Sequence, residues 1–281
     1  RSEGVLSASF IPVYTRLRAQ GRQDEANELA GAIGGLLSLS VSVIVLLGIA
    51  LAPWLVDLLA PGFDGEARAL TVVMVRVLFP GMGFLVLSAW CLGILNSHRK
   101  FFLSYFASVF WNLALIAALL IFGRSAGEAQ LVIILAWASV VGSILQFASQ
   151  LPGVFKYAGR IRFRVSLKLA ATRETIANFG PAFVGRGVVQ ISAFIDGMIA
   201  SFLGPQAVAS IAYAQTLYLL PIGLFGMSVA AAELPEMSEN AARTESQEIA
   251  ELLKQRLTAG ARRIAFFVAP SMCALVFLGL E

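Results

Sequence analysis

Charge is scarce in this chain. Asp, Glu, Lys and Arg make up 14% of its 281 residues, where soluble domains carry about 25%. With 58% hydrophobic residues, too little polar surface is left to clothe a water-soluble fold. Histidine occurs once, at His98, and cysteine twice, at Cys91 and Cys273. A single histidine beside Arg99 and Lys100 is expected at the surface, not as a ligand or base. Each cysteine falls within an apolar run, so both are expected as buried small hydrophobes, with no disulfide framework or metal cluster. The sequence also lacks a Gly-rich phosphate loop with a lysine, an ATP-binding motif, and a closely spaced carboxylate pair beside an apolar run. Those absences argue against an enzyme and against ATP-driven transport, and no cofactor is expected. Basic residues outnumber acidic ones by 21 to 17, for a net charge of +4. They lie between apolar runs, which is how a membrane protein marks its inner face, so nucleic acid is not the expected partner.

Long apolar runs are what the chain has in abundance. Its mean hydropathy is +0.80. Ala30–Ala52 is charge-free over 23 residues, enough for the roughly 20 that cross a hydrocarbon core. Further spans are expected at Leu70–Ser97, Phe101–Gly123, Ala129–Phe155, Thr175–Leu203 and Gln206–Ala232. Gly4–Tyr14 and the stretch from Ile264 onward complete about eight transmembrane spans, and the fold class is an all-α polytopic membrane protein. Both ends of the sequence fall inside apolar segments, so a longer protein is expected. Arg1–Leu17 has no secretory-signal pattern.

The connections are expected to differ in kind. Pro53–Phe63 reads as a short interfacial piece with Trp54 at headgroup depth. Arg16–Glu28 reads as a polar loop. Arg160–Leu169 alternates polar and apolar residues with a period of two, which predicts an extended segment on the membrane surface joining two halves. In Pro235–Arg263, Ile249, Leu252, Leu253 and Leu257 recur at helical spacing, which predicts a partly surface-lying helix. Placing Arg16–Glu28 inside and alternating puts sixteen basic residues in inner segments and only Arg68 and Arg124 in outer ones. That bias sets the orientation. The segments starting at Leu6 and Val229 also share a pattern of small residues, a proline and then a polar helical stretch. Their prolines, Pro12 and Pro235, are 223 residues and six spans apart. An even number of spans makes this a parallel repeat, one of the two repeat types of secondary transporters.

The stretch Asn178–Pro235 carries the candidate chemistry. Arg186 and Asp196 lie within an expected span, where a charge costs roughly 2.5–3.5 kcal/mol unless it faces protein or water. Gly180, Pro181, Gly185 and Gly187 surround the arginine, so the helix there can bend and let other groups approach. Ten helical steps set Arg186 and Asp196 about 80° and about 15 Å apart, too far to pair with each other. Gln190 sits one turn from Arg186 and extends a polar track. An arginine in a membrane cavity suits a phosphate held by two parallel hydrogen bonds. Its other reading is a packing ion pair with an interhelical carboxylate. Arg76, one turn before Pro80, either joins the cavity or snorkels to the outer headgroups. Asn112, Asn178 and Gln215 are accounted for by single interhelical hydrogen bonds. Glu233 is expected to be solvated at the inner exit.

Several runs resemble the MurJ (MviN) lipid II flippases of the multidrug/oligosaccharidyl-lipid/polysaccharide exporter superfamily. They are EGVLSASFIPVYTRL from Glu3, APWLV and LAPGF from Ala52, LFP at Leu78–Pro80, ILN at Ile94–Asn96, QLP at Gln150–Pro152, GPAFVGRGVVQISAFID from Gly180 and YAQTLYLLPIGLFG from Tyr213. The resemblance covers essentially the whole chain. It implies a two-lobed bundle around a cationic cavity, truncated here at both ends. Residues 1–155 would belong to the N-terminal lobe, 156–173 to the interlobe segment and 174–281 to the start of the C-terminal lobe. It further implies translocation of lipid II, a polyprenyl-pyrophosphate-linked glycan, across the bacterial cytoplasmic (inner) membrane by alternating access. Membrane lipids and a coupling ion would be the other partners. The candidate substrate-binding residues are Arg186, Gln190, Asp196, Arg76, Glu3 and Gln215. One departure stands out: where many relatives carry an arginine two residues after the tyrosine-alanine pair, Tyr213-Ala214-Gln215 leads into Thr216. That leaves open an exporter of other polyprenyl-linked oligosaccharides or of drugs, and a non-transporting cell-wall scaffold.

Overall fold

The computed structural model describes residues 3–159, 161, 163, 169–221, 223 and 246–278. Its regular structure among these is helical. In chain order the helices are α1 (Glu3–Ala19), α2 (Gln23–Ala50), α3 (Ala52–Leu59), α4 (Gly65–Ser97), α5 (Phe101–Phe122), α6 (Glu128–Ala158), α7 (Ala170–Ser201), α8 (Pro205–Pro221) and α9 (Ser246–Leu278). Without water to pair with backbone N–H and C=O, apolar runs of this length must satisfy them internally, and the helix does so. Among the described residues five helices are long and apolar enough to cross a membrane: α2, α4, α5, α6 and the Thr258–Phe277 part of α9. The other expected spans are also helical where they are described, Gln206–Ala232 as far as Pro221. α1 and α8 have 17 residues each, and α7 is long but interrupted by Arg173, Glu174, Arg186 and Asp196.

Two compact units divide the chain, Arg1–Phe202 and Leu203–Glu281. In the first, α4 packs on α6, α2 and α1, α5 packs on α6, and α7 packs on α1. In the second, α8 packs on α9. Large apolar side chains such as Leu46, Leu120 and Ile121 stay exposed on the helices' outer faces. In a bilayer that is the lipid-facing surface, and burying it against protein gains little. Trp54 projects from α3, 78% exposed, as an interfacial anchor does.

Helix association in lipid depends on close packing and interhelical hydrogen bonds. α5 and α6 meet at Gly142, where a Cβ would lie 2.9 Å from the Trp111 Cα. α4 and α6 meet through a buried polar ladder: the Ser88 hydroxyl donates to Gln150 Oε1 (2.8 Å), Gln146 Nε2 donates to Ser88 Oγ (3.0 Å), and Gln150 Nε2 donates to the Ser104 carbonyl of α5 (3.1 Å). The largest core gathers Phe10, Tyr14, Leu29, Trp90, Ile94, Leu95 and Val154. The Trp90 indole donates to the Ala30 carbonyl at 3.1 Å.

Helix ends alternate as the charge bias requires. The C-terminal ends of α1, α4 and α6 share one end of the first unit with the N-terminal ends of α2, α5 and α7. Arg18 Nη1 there donates to the Ser97 carbonyl at 2.6 Å. At the other end Asp57 of α3 pairs with Arg68 of α4, Nε to Oδ1 at 2.6 Å.

Four expectations need correction or refinement. The polar loop Arg16–Glu28 shrinks to a turn at residues 20–22. Asp24 and Glu25 favour the start of α2 through its dipole, Arg22 pairs with Glu25 across one turn, and Ala26, Leu29, Ala30 and Ile33 form a buried stripe. The predicted surface helix, from Ser246, and the last span are one continuous helix, α9, since no proline interrupts it before Pro270; Pro235 and Glu233 lie outside the described residues, as does the second copy of the repeat pattern up to residue 245. In the alternating segment Ile161 and Phe163 are non-helical as expected, but their apolar face is used against protein. Ile161 is buried in the core and the Phe163 ring sits 5.4 Å from that of Trp90; Arg160, Arg162 and residues 164–168 lie outside the described residues. Cys91 is buried as expected, whereas Cys273 is exposed, because it lies on an unpacked face of α9.

Candidate helix-borne membrane site

α7 is held at both ends, and several of its described side chains between them are exposed. At its start, ahead of the apolar run, Arg16 of α1 grips Glu174 with both arms, Nη1 to Oε1 at 3.0 Å and Nη2 to Oε2. Those hydrogen bonds hold the Glu174 carboxyl below its usual range. Thr172 and Thr175 are buried beside it. At the far end the Gly62 N–H, in the turn between α3 and α4, donates to Ser201 Oγ at 3.1 Å. A Cβ on Gly62 would lie 2.1 Å from the Ser201 carbonyl oxygen, so only glycine admits this approach.

Between these anchors Phe183, Val184, Ile191 and Ile199 are exposed. A Cβ added at Gly180, Gly187 or Gly197 would meet nothing within 4 Å. Among the described residues nothing packs against these three glycines, which lie on the stretch that carries the candidate residues. Gln190 and Asp196 are exposed there. Arg186 lies on the same helix one turn before Gln190; its side chain, like that of Glu3, lies outside the described residues.

The other candidates stand elsewhere. Arg76 is exposed on α4, and Gln215 is partly exposed on α8 in the second unit. Among the described residues Arg76, Gln190, Asp196 and Gln215 form no hydrogen bond or ion pair with one another. Asn112 does not reach a neighbouring helix as expected: its Nδ2 bonds back to the Ser108 carbonyl of its own helix at 3.1 Å. Thr216 likewise returns its hydroxyl to the Ala212 carbonyl at 2.9 Å. A polar residue in lipid without a partner across the interface turns to its own backbone.

A second polar site escaped the sequence reading. His98 is half-buried, and its Nε2 shares a 3.2 Å hydrogen bond with the Tyr14 hydroxyl. Its ring also lies 6.1 Å from that of Tyr157. Partial burial, and then the nearby charges of Arg18 and Lys100, push its pKa down to about 4. The expectation of a surface histidine is thus corrected. The turn after α4 folds back over α1 and α6, a tertiary contact that the HRK triplet does not announce. The aromatic partners Tyr14 and Tyr157, 143 residues apart in the sequence, were the available signal.

The whole chain, residues 1–281, matches the family model described as lipid II flippase MurJ. The chain belongs to the MurJ family. It is 34% identical over 284 residues to the lipid II flippase MurJ of Burkholderia cenocepacia, covering 98% of this chain and 54% of that protein. It is 32% identical to the probable lipid II flippase MurJ of Rickettsia prowazekii, over 85% of this chain and 46% of that one. A solved structure named as lipid II flippase MurJ, inward closed conformation, superposes with a TM-score of 0.80 at 24% identity, over 99% of this chain and 55% of that chain. That likeness establishes the MurJ fold. The chain spans about half the length of the curated relatives it matches. MurJ membership, with five helices fit to cross a bilayer, makes this a multi-pass protein of the bacterial inner membrane.

Proposed function

We propose that this chain is part of a flippase that carries lipid II, the lipid-linked peptidoglycan precursor, from the inner to the outer leaflet by alternating access. The observation that carries the reading is α7: tied at both ends, with exposed side chains between them, and bearing Arg186, Gln190 and Asp196 along that stretch. A helix so exposed at membrane depth is suited to face a polar cavity, where a charge escapes the cost of lipid. The names of the family and of its curated relatives support the substrate. Arg186 would hold a phosphate oxygen of the pyrophosphate, and Gln190 would extend the polar track toward the sugars. Asp196 would serve a later subsite or a coupling ion, with Arg76, Glu3 and Gln215 completing the polar lining. The division into an N-terminal lobe over 1–155, a joining segment over 156–173 and a second lobe from 174 belongs to the same proposal.

The test uses the full-length protein in cells depleted of their own flippase. Wild type should restore growth and outward movement of lipid II, and Arg186→Gln should not, at equal membrane abundance. A drug-efflux readout in the same cells separates an exporter of drugs, whose activity the substitution would spare. Full rescue by Arg186→Gln would remove the proposed role of the arginine.

A further inference from the structure

At the inner end of the first unit, opposite the Gly62–Ser201 contact, a cleft of about 310 Å³ is lined by Thr15, Arg18, Ala19, Ser97, His98 and Arg99. We propose that this cleft binds the phosphate group of an anionic phospholipid of the inner leaflet. The inference is separate from the transport reading and uses none of its residues.

The first argument is unbalanced charge. Three arginines of this unit each find a carboxylate: Arg16 with Glu174, Arg22 with Glu25 and Arg68 with Asp57. Among the described residues Arg18, Arg99, Lys100 and Lys156 have no such ion-pair partner, although Arg18 and Arg99 line one cleft and Lys100 and Lys156 flank the same Tyr157 ring, at 4.9 and 5.7 Å. Among the described residues no carboxylate lines the cleft, and Glu25 and Glu174 are engaged by Arg22 and Arg16. Positive charge concentrated in a concave site without a counter-charge calls for an anion.

The second argument is Arg18 itself. Its Nη1 is spent on the Ser97 carbonyl, while its Nε is buried without a hydrogen-bond partner. A buried donor left unpaired on a charged group is costly, and a phosphate oxygen is the partner that guanidinium geometry fits. The backbone is also committed to the site. Arg99 is the one described non-glycine residue with a left-handed φ, 57°. The turn is closed by Arg99 N–H to the Asn96 carbonyl and Lys100 N–H to the Leu95 carbonyl, each 2.9 Å. That turn sets Arg99 and Lys100 at the rim, exposed.

The third argument selects a lipid over a free anion. Directly after Lys100, α5 opens with Phe101, Phe102 and Tyr105, all exposed. A cationic cleft followed immediately by an aromatic, lipid-facing surface offers one contact to a headgroup and another to its acyl chains. A soluble phosphate would use only the first.

The test places the full-length protein in nanodiscs of phosphatidylcholine alone and of an equimolar mixture with phosphatidylglycerol. Arg99→Asn/Lys100→Gln removes two rim charges, and asparagine tolerates the left-handed conformation at 99. Lys254→Gln/Arg256→Gln removes the same charge from α9 of the second unit. Wild type and the second variant should retain phosphatidylglycerol on release into the mass spectrometer and melt at a higher temperature in the mixed discs. The rim variant should retain about tenfold less and lose the thermal gain, while melting like wild type in phosphatidylcholine alone. Equal retention by the rim variant would overturn the proposal, and so would equal loss by the other variant, which would reduce the effect to general surface charge. Inorganic phosphate reproducing the whole thermal gain in phosphatidylcholine discs would also overturn it, in favour of a soluble anion.

Discussion

Arg16 and Glu174 are separated by 158 residues of chain, yet their side chains meet in a two-pronged ion pair that fastens the end of α1 to the start of α7. Both groups are exposed, so solvent screening leaves the pair little weight in global stability. Its effect should be local. Arg16→Ala or Glu174→Ala should accelerate deuterium uptake in the first turns of α7 with little change in melting temperature. The exchange Arg16→Glu/Glu174→Arg should restore slow uptake. The depressed Glu174 pKa gives the sign with pH. The contribution is present above the carboxyl's unfolded pKa and disappears as pH falls through the lower folded value, so protection of these amides, relative to their intrinsic exchange rate, should fall in wild type toward that of Glu174→Ala on acidification.

The α5–α6 contact should be intolerant of a single methyl. At Gly142 a Cβ would stand 2.9 Å from the Trp111 Cα and 3.0 Å from its carbonyl oxygen, both backbone atoms that cannot swing aside. Gly142→Ala must push the helices apart and strain the 3.1 Å bond from the Trp111 indole to Ser139 Oγ. Overpacking of this kind costs about 1–3 kcal/mol, measurable by denaturant titration in detergent. Gly127→Ala, whose Cβ would meet nothing within 4 Å, should leave the midpoint unchanged.

Gln150 is the hub of the buried ladder, accepting from Ser88 and donating to the Ser104 carbonyl. Gln150→Leu leaves both groups short of a partner in a place that water does not reach. Interhelical hydrogen bonds in membranes average about 0.6 kcal/mol with a maximum near 1.7. The loss should fall toward the upper value, because one side chain serves two neighbours. A cycle with Ser88→Ala would check this: the double variant should be less destabilised than the sum of the two single ones.

The long elements were legible because a membrane forces the issue: an apolar run such as Ala30–Ala52 has no alternative to a helix. The short interfacial helix at Pro53 and the alternation of helix ends followed from proline, tryptophan and basic-residue placement. Boundaries written in polar residues were less legible. Asp24 and Glu25 read as loop residues, yet they stand in the first turn of α2, since the same carboxylates that mark a solvated turn also favour a helix start. At the candidate site, the spacing of Arg186, Gln190 and Asp196 was visible along one helix. The exposure of that helix's side chains was not, because it depends on which other elements pack against them. The His98 cluster was invisible for the opposite reason: it is assembled from α1, α6 and the α4–α5 turn, and no local pattern encodes that meeting.

His98 should make the inner end sensitive to mild acid. It bonds to Tyr14 and faces the Tyr157 ring, with Arg18 and Lys100 as nearby charges and Lys156 beyond Tyr157. Its folded pKa, about 4, lies below the ordinary value of 6.5. Below pH 6.5 the unfolded chain takes up a proton that the folded protein refuses, so folding loses stability as pH falls through that window. The contribution is complete above 6.5 and gone by about 4. Wild type should therefore melt at progressively lower temperature from pH 7 to pH 5, beyond the slope of a variant lacking the group. His98→Asn, which keeps a polar partner for Tyr14 without a titrating ring, should show the shallower slope. If the two slopes coincide, His98 takes up its proton at the same pH in the folded and unfolded protein, and its burial does not govern its charge.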